Sequence, residues 1–444
     1  MRRSLIAFIV AVGLCSLAFS ATNNIKVSGD ITATAITRDL SLGNKDTLTV
    51  GLISYENKDS EDFLLLQTRL RFDADLTENV SAVVQLINER VWGAEGTADT
   101  DIDLDLAYFT MKEMIYEPLT LIIGRQPLRY GRALIIGDPD TDNNVSAGSG
   151  LANVADDLSL RKSFDAVRAI LDYSPLVIDL IYAKIQETNT NVEDDITLAG
   201  INAAYQLDEN TLLEGYFFVK DKDQAIAGDN NDKVYVVGVR GELAVDEQLS
   251  LYGEYAYQFG DYVASAIAPV DHDHVDAFAV QLGGEYKFND PNSSKLGLCY
   301  TYLSGDDGDT LDDYEAWNPL FEDQRVGEIA NILFDNTNMW YIKASGSTKP
   351  REDMTAMLDV YYFHQADRNS SALSSNGIIT NANTDIDQSD DRDLGWEIDA
   401  SLLYDYTEDV QFGLIAGWFI PGDHFTSAND ETAYSIRATA KVEF

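Results

Sequence analysis

Apolar and polar residues alternate singly along most of this chain, and the stretch from Ala433 to Phe444 states the rule plainly. Tyr434, Ile436, Ala438, Ala440, Val442 and Phe444 fall on one face; Ser435, Arg437, Thr439, Lys441 and Glu443 fall on the other. Successive residues of a β-strand point to opposite faces, so this is a strand with one oily and one wet side. The period recurs in about eighteen segments, each close to or above the ~9–11 residues that a tilted membrane-crossing strand needs. They lie near residues 25–37, 62–76, 80–91, 103–115, 119–129, 164–173, 176–186, 194–207, 211–220, 233–244, 248–259, 275–288, 295–304, 338–347, 354–364, 393–406, 410–420 and 433–444.

The connections alternate between two kinds. Residues 77–79, 116–118, 174–175, 208–210, 245–247, 289–294, 348–353 and 407–409 are short and built from Asn, Asp, Pro, Ser and Glu, as turns are. Residues 130–163, 260–274, 305–337 and 365–392 are long. A β-sandwich does not sort its loops by length in this way. A transmembrane barrel does, with turns on the periplasmic side and loops outside. The pattern therefore predicts an all-β fold: a closed antiparallel barrel of about eighteen strands with both termini periplasmic.

The oily faces suit lipid. Leu394, Trp396, Ile398, Ala400, Leu402 and Tyr404 form one, and Val410, Phe412, Leu414, Ala416, Trp418 and Ile420 another. Tyr116, Tyr173, Tyr205, Phe288, Tyr404 and Tyr406 stand near strand ends, where aromatic girdles mark the membrane interface. Mean hydropathy is only −0.17, as expected where strands alternate rather than run apolar. Arg2 and Arg3, the apolar run Leu5–Leu14 and Ala18-Phe19-Ser20 read as a secretory signal peptide over 1–21. Residues 22–444 then form one barrel domain in the outer membrane of a Gram-negative-type bacterium. With Cys15 removed, only Cys299 remains, and no intrachain disulfide can form. The formal net charge of −44 makes nucleic acid an unsuitable partner.

Three stretches resemble the bacterial alginate-export family of outer-membrane porins. They are Ile123-Gly124-Arg125-Gln126-Pro127-Leu128-Arg129-Tyr130-Gly131 with Ile135-Ile136-Gly137; Ser304-Gly305-Asp306-Asp307 through Tyr314, with Asn318-Pro319-Leu320-Phe321; and Trp418-Phe419-Ile420-Pro421-Gly422. Each lies where a strand meets a long loop. The resemblance implies a passive channel with an arginine-lined lumen for an anionic polysaccharide. The last strand, ending in Phe444, resembles the signal read by the barrel-assembly machinery.

Register follows from the oily face and lists the inward charges. The basic ones are Arg69, Arg71, Arg125, Arg129, Arg168, Arg240, Lys343, Arg437 and Lys441. The acidic ones are Asp73, Asp75, Glu89, Asp179, Glu254, Glu285, Asp359, Glu397, Asp399, Asp405 and Glu443. The two signs are nearly balanced here, whereas the chain has 31 Lys+Arg against 75 Asp+Glu. Arginine suits a path for carboxylates because its planar fork binds them bidentately. Facing Arg and Asp/Glu side chains also pair across strands as structure, and both readings stand at this point. At mid-lumen Arg69, Arg71, Arg125, Arg168, Arg240, Lys343 and Arg437 oppose Glu254, Asp359, Glu397 and Asp399.

Asp138, Asp140 and Asp142 give an Asp-x-Asp-x-Asp run that could take up a loop calcium loosely, though Asn143 and Ser149 stand where an EF-hand needs Gly and Glu. No other cofactor is expected. His272 and His274 lack the convergence a transition metal needs. His364 and His424 lie at strand ends without a nucleophile motif, so catalysis is not expected. The expected function is an outer-membrane channel for an anionic solute or acidic polysaccharide. A general or sugar-permeable porin with a mixed-charge lumen is the alternative, and a barrel enzyme or adhesin acting through its loops the second. Expected partners are outer-membrane lipid, lipopolysaccharide, the assembly machinery and the solute, with the chain a monomer.

Overall fold

The computed structural model describes residues 24–42, 48–50, 53–55, 60–93, 102–139, 156–187, 195–222, 232–263, 271–306, 313–368, 391–425 and 430–444. The expected signal peptide lies outside them. Strands run in the order β1 (Asn24–Asp39), β2 (Leu48–Val50), β3 (Ile53–Tyr55), β4 (Glu61–Asp75), β5 (Val80–Val91), β6 (Asp103–Lys112), β7 (Leu119–Pro127), β8 (Ser163–Asp172), β9 (Leu176–Gln186), β10 (Ile196–Asp208) and β11 (Thr211–Lys222). They continue as β12 (Asp232–Ala244), β13 (Leu249–Val263), β14 (Asp271–Lys287), β15 (Lys295–Leu303), β16 (Asp313–Tyr314), β17 (Met339–Arg351), β18 (Met354–Gln365), β19 (Asp393–Asp405), β20 (Val410–Pro421) and β21 (Ala433–Glu443). A four-residue helix, α1 (Ala330–Leu333), precedes β17.

Eighteen of these strands close a single antiparallel barrel. Each pairs with its neighbour in sequence, and β1 seals the ring by pairing with both β4 and β21. Strands β2 and β3 form a separate hairpin, and β16 adds in parallel to β14. Closure leaves no strand edge and pairs the wall's backbone without help from water, which a lipid environment demands. The alternation explains the two surfaces. Leu213, Phe217, Val237, Val239, Tyr255, Leu282, Leu298, Trp396 and Trp418 are exposed on the outer wall, while Phe218, Val234, Val236, Ala256 and Ala279 are buried inside.

The seam has its own lock. Phe444 exchanges two backbone hydrogen bonds with Gly29 of β1, at 2.8 and 3.0 Å. Its ring covers Gly29, where a Cβ would stand 2.8 Å from Phe444 Cζ. Deleting Phe444 removes about 1 kcal/mol per hydrogen bond and uncovers the Gly29 backbone. Less of the unheated protein should then run at the compact position on an SDS gel. A deletion variant that remains heat-modifiable at the normal level would show that closure does not depend on this residue.

Two residues stand on faces other than those expected. Leu394, expected on the lipid face, is fully buried. Gly395 has φ +116° and sits beside the register shift between β18 and β19 at Phe363/His364. Such an irregularity moves one residue across the wall, so Trp396 points out and Leu394 in. On β7 the alternation runs unbroken through Gly124, with no register shift against β6 or β8. Arg125 follows it and was expected inside. It lies opposite Asp165 and Ala107, in line with the exposed Phe109 and Val167, and so faces outward. Ile122, Gly124 and Gln126 take the inward positions there.

Candidate functional site: a constricted lumen

The long connections were expected outside the barrel, but two of them fold into it. In residues 128–139, Leu128, Ala133, Leu134, Ile135 and Ile136 are buried; in residues 315–338, so are Trp317, Leu320, Phe321, Ile329, Leu333 and Phe334. They form one apolar cluster with inward wall residues such as Phe164, Phe218, Tyr341, Phe363 and Phe419. Burying each large side chain contributes about 1.5–3 kcal/mol. The infolded loops are therefore a packed part of the lumen rather than a loose lid.

The three family-like stretches turn out to be the parts of this constriction. Ile136 bridges Phe321 in parallel, and the N–H groups of Gly137 and Asp138 both donate to the Phe321 carbonyl, at 2.7 and 3.1 Å. Gln258 on β13 reads the backbone of Asn318 in both directions: Nε2 donates to its carbonyl at 2.6 Å, and Oε1 accepts from its N–H at 2.9 Å. Ser304 holds the loop's root, since its carbonyl accepts from Trp317 N–H at 2.9 Å and its hydroxyl donates to Glu315 at 2.7 Å. Phe419, from the third stretch, is fully buried among Phe334, Phe363 and Phe425.

Carboxylates of the wall position the polar side of the loops. Glu397, fully buried on β19, accepts from the N–H groups of Glu328, Ile329 and Ala330 at 2.6, 2.7 and 2.7 Å. These are donors that a helical turn leaves free at its start. Asp399 accepts a further bond from Glu328 N–H at 3.2 Å. Glu89 on β5 does similar work for residues 156–162, accepting from Ser159 Oγ at 2.9 Å and Leu160 N–H at 2.8 Å. Between loops, Asp323 pairs with both Arg129 and Lys162, and Lys162 also reaches Asp138 at 3.7 Å. Asp138 thus faces an ammonium group. Asp140 and Asp142, the rest of the expected calcium run, lie outside the described residues.

Most of the expected lumen bases are paired to a carboxylate. Arg69 bonds Asp30 at 2.9 Å, Arg71 bonds Asp73 at 2.8 Å, Arg168 Nε bonds Asp179 at 2.7 Å, and Lys343 pairs with Asp359 at 2.8 Å. Arg240 pairs with Glu214 and Glu242, Arg437 with Glu328, and Lys441 with Glu443. Glu254 accepts from the Tyr216 hydroxyl at 2.8 Å. In the loop, burial and the nearby Asp179 carboxylate push the Tyr130 hydroxyl well above its usual range, so it stays neutral.

Three arginines stand apart from that wall. Arg129, Arg132 and Arg325 are exposed residues of the infolded loops. Arg132 makes no ion pair with a described residue; its guanidinium lies 3.5 Å over the Tyr252 ring. Arg325 pairs with Glu328 at 3.2 Å and has φ +47°. Of the three, only Arg129 was expected from the sequence. Arg132 and Arg325 gave no periodic signal, because they sit in loops. The signal that was present is the density of Ile, Leu, Trp and Phe around them, which a solvated loop would not carry.

The alginate-export family model matches residues 51–439. No curated protein matches the chain. Similar solved structures include Acinetobacter baumannii OccAB2, with TM-score 0.58 and 12% identity over 95% of this chain and 98% of that one. Pseudomonas aeruginosa OccK3 (OpdO) follows with TM-score 0.56 and 10% identity over 95% and 96%. Pseudomonas aeruginosa OccK2 (OpdF), solved in complex with glucuronate, has TM-score 0.55 and 10% identity over 95% and 98%.

Proposed function

Since the chain belongs to the alginate-export family of outer-membrane channels, we propose that it passes an anionic solute, an acidic polysaccharide or its carboxylated units, through the constricted lumen. The observation that carries this reading is the placement of Arg129, Arg132 and Arg325 on the exposed side of the infolded loops. Arg132 is the key group. Stacked on Tyr252, its guanidinium keeps its in-plane N–H groups free for a carboxylate. Arg325 holds a backbone conformation that costs about 1 kcal/mol or more, a cost that fits a functional position. Side chains at a narrow path are screened less than outer charges, whose influence fades over ~8 Å at physiological salt. The net charge of −44 therefore does not set the lumen's preference. OccK2, solved with a uronate, lends the reading support by analogy of fold alone.

The paired wall favours one further reading, a sugar-permeable porin of mixed charge. Reversal potentials in planar bilayers under a salt gradient separate the two. The wild-type channel should prefer anions modestly, and Arg132→Gln with Arg325→Gln should remove that preference without loss of heat-modifiability. A wild-type channel that already prefers cations would overturn the anion reading and leave the mixed porin.

A further inference from the structure

The outer wall is not equally apolar all round. On β14 the outward residues from Phe288 up to Asp276 include Tyr286, Leu282, Val280 and Phe278 before the first charge. At ~3.3 Å per residue and a tilt near 40°, that is about 30 Å of height. On β8 the outward residues from Tyr173 are Leu171, Ala169 and Val167, and then Asp165, about 20 Å up by the same measure. A barrel's apolar band is ~25 Å tall. The charge on β8 thus falls within the band, and the charge on β14 lies above it.

Asp165 is not alone. Arg125 stands beside it on β7, bonded at 3.2 Å. Lys184 stands beside it on β9 and pairs with Asp195 and Glu187. The rung continues in register through Thr197, Asp221, Lys233 and Asp261 on β10 to β13, with Asp221 and Lys233 2.7 Å apart. A line of register partners runs across tilted strands, so it climbs the wall as it goes round. Its high end on β12 and β13 meets the upper edge of the band; its low end on β7 to β9 lies well below that edge.

We propose that the outer face of β7–β9 is a low saddle where headgroups of the outer leaflet descend to the level of Arg125, Asp165 and Lys184, with their phosphates on Arg125. Arg125 spends Nη1 on Asp165, while its side chain stays 32% exposed. The exposed end of its guanidinium can take phosphate oxygens, which guanidinium binds well. Lys184 adds a second charge at this height, its ammonium held by Asp195 and Glu187. Local thinning of a bilayer is inexpensive per ångström, whereas holding this rung in hydrocarbon is not. The membrane, rather than the wall, therefore yields here.

Nitroxide labels on the full-length barrel test this, in a Cys299→Ser background and vesicles of phosphatidylethanolamine and phosphatidylglycerol. Val167→Cys on β8 and Leu282→Cys on β14 lie equally far above Tyr173 and Phe288. The label at 167 should collide more with a polar nickel chelate and less with oxygen than the label at 282. Adding Arg125→Leu and Asp165→Leu should move the label at 167 to hydrocarbon-like values while the barrel stays heat-modifiable. Equal, oxygen-rich environments at 167 and 282 would overturn the saddle, as would an unchanged label at 167 in the double-leucine variant. A label at 167 shielded from both relaxants and dipole-broadened would instead show a second copy of the chain seated there, and would overturn the lipid assignment.

Discussion

Replacing Glu397 by alanine is expected to widen the channel. The side chain is fully buried and holds three loop N–H groups, from Glu328, Ile329 and Ala330. Asp399 still accepts from Glu328 N–H, so two donors are left without a partner, and at about 1–3 kcal/mol each roughly 2–6 kcal/mol of anchoring is lost from one turn of chain. The apolar packing of Trp317, Phe321 and Phe334 remains, so residues 326–331 should swing free while the rest of the loop stays. Single-channel conductance should rise, open-channel noise should increase, and selectivity should fall as Arg325 loses its fixed place. Glu397→Gln should sit between the two. Its oxygen can still serve Glu328 and Ile329, but its amide nitrogen would face the Ala330 N–H. Heat-modifiability controls for the barrel itself, whose ring of backbone pairs does not involve this carboxylate. An alanine variant with wild-type conductance and noise would show that the loop is held by its apolar face alone.

Much of this architecture was legible because the side-chain period of a strand is two and the wall has two different sides. Every barrel strand lies where that alternation placed it, and the short turns fall where Asn, Asp and Pro cluster. Legibility failed where one residue breaks the period. Gly395 carries a positive φ beside a register shift and reverses the face assigned to Leu394. A glycine within an alternating run was the available cue. Arg125 was placed inside without such a break: it follows a run apolar on both faces, so the alternation did not fix which face it takes. The infolded loops were hidden for a different reason. Loops have no period, so nothing told Arg132 from a solvated arginine until Tyr252 lay beneath it. The pairing of charges depends on register across strands distant in sequence, so Arg69 with Asp30 could not be told from Arg69 alone.

That pairing decides what the wall arginines do, and a charge-swap series is expected to reveal it. Replacing Arg69, Arg168, Arg240 and Arg437 together by Gln should push the reversal potential strongly toward cations. The simple account is that an anion path has been erased. The geometry gives another: the exchange leaves the facing Asp30, Asp179, Glu214 and Glu328 carboxylates without those partners. These groups are largely buried, Asp179 at only 4% exposure, and removing one partner of a buried pair costs about 3–5 kcal/mol. Unfolding in denaturant should therefore shift along with selectivity. Adding Asp30→Asn, Asp179→Asn, Glu214→Gln and Glu328→Gln replaces each pair by a neutral one. The combined variant should regain much of the lost stability and return toward the wild-type reversal potential, because Arg129 and Arg132 are untouched. Exchange of Arg132 has no such rescue, since among the described residues it faces an aromatic ring and forms no ion pair. If the combined wall variant stays as cation-selective as the four-arginine variant, the wall arginines themselves form the anion path and the loop arginines do not.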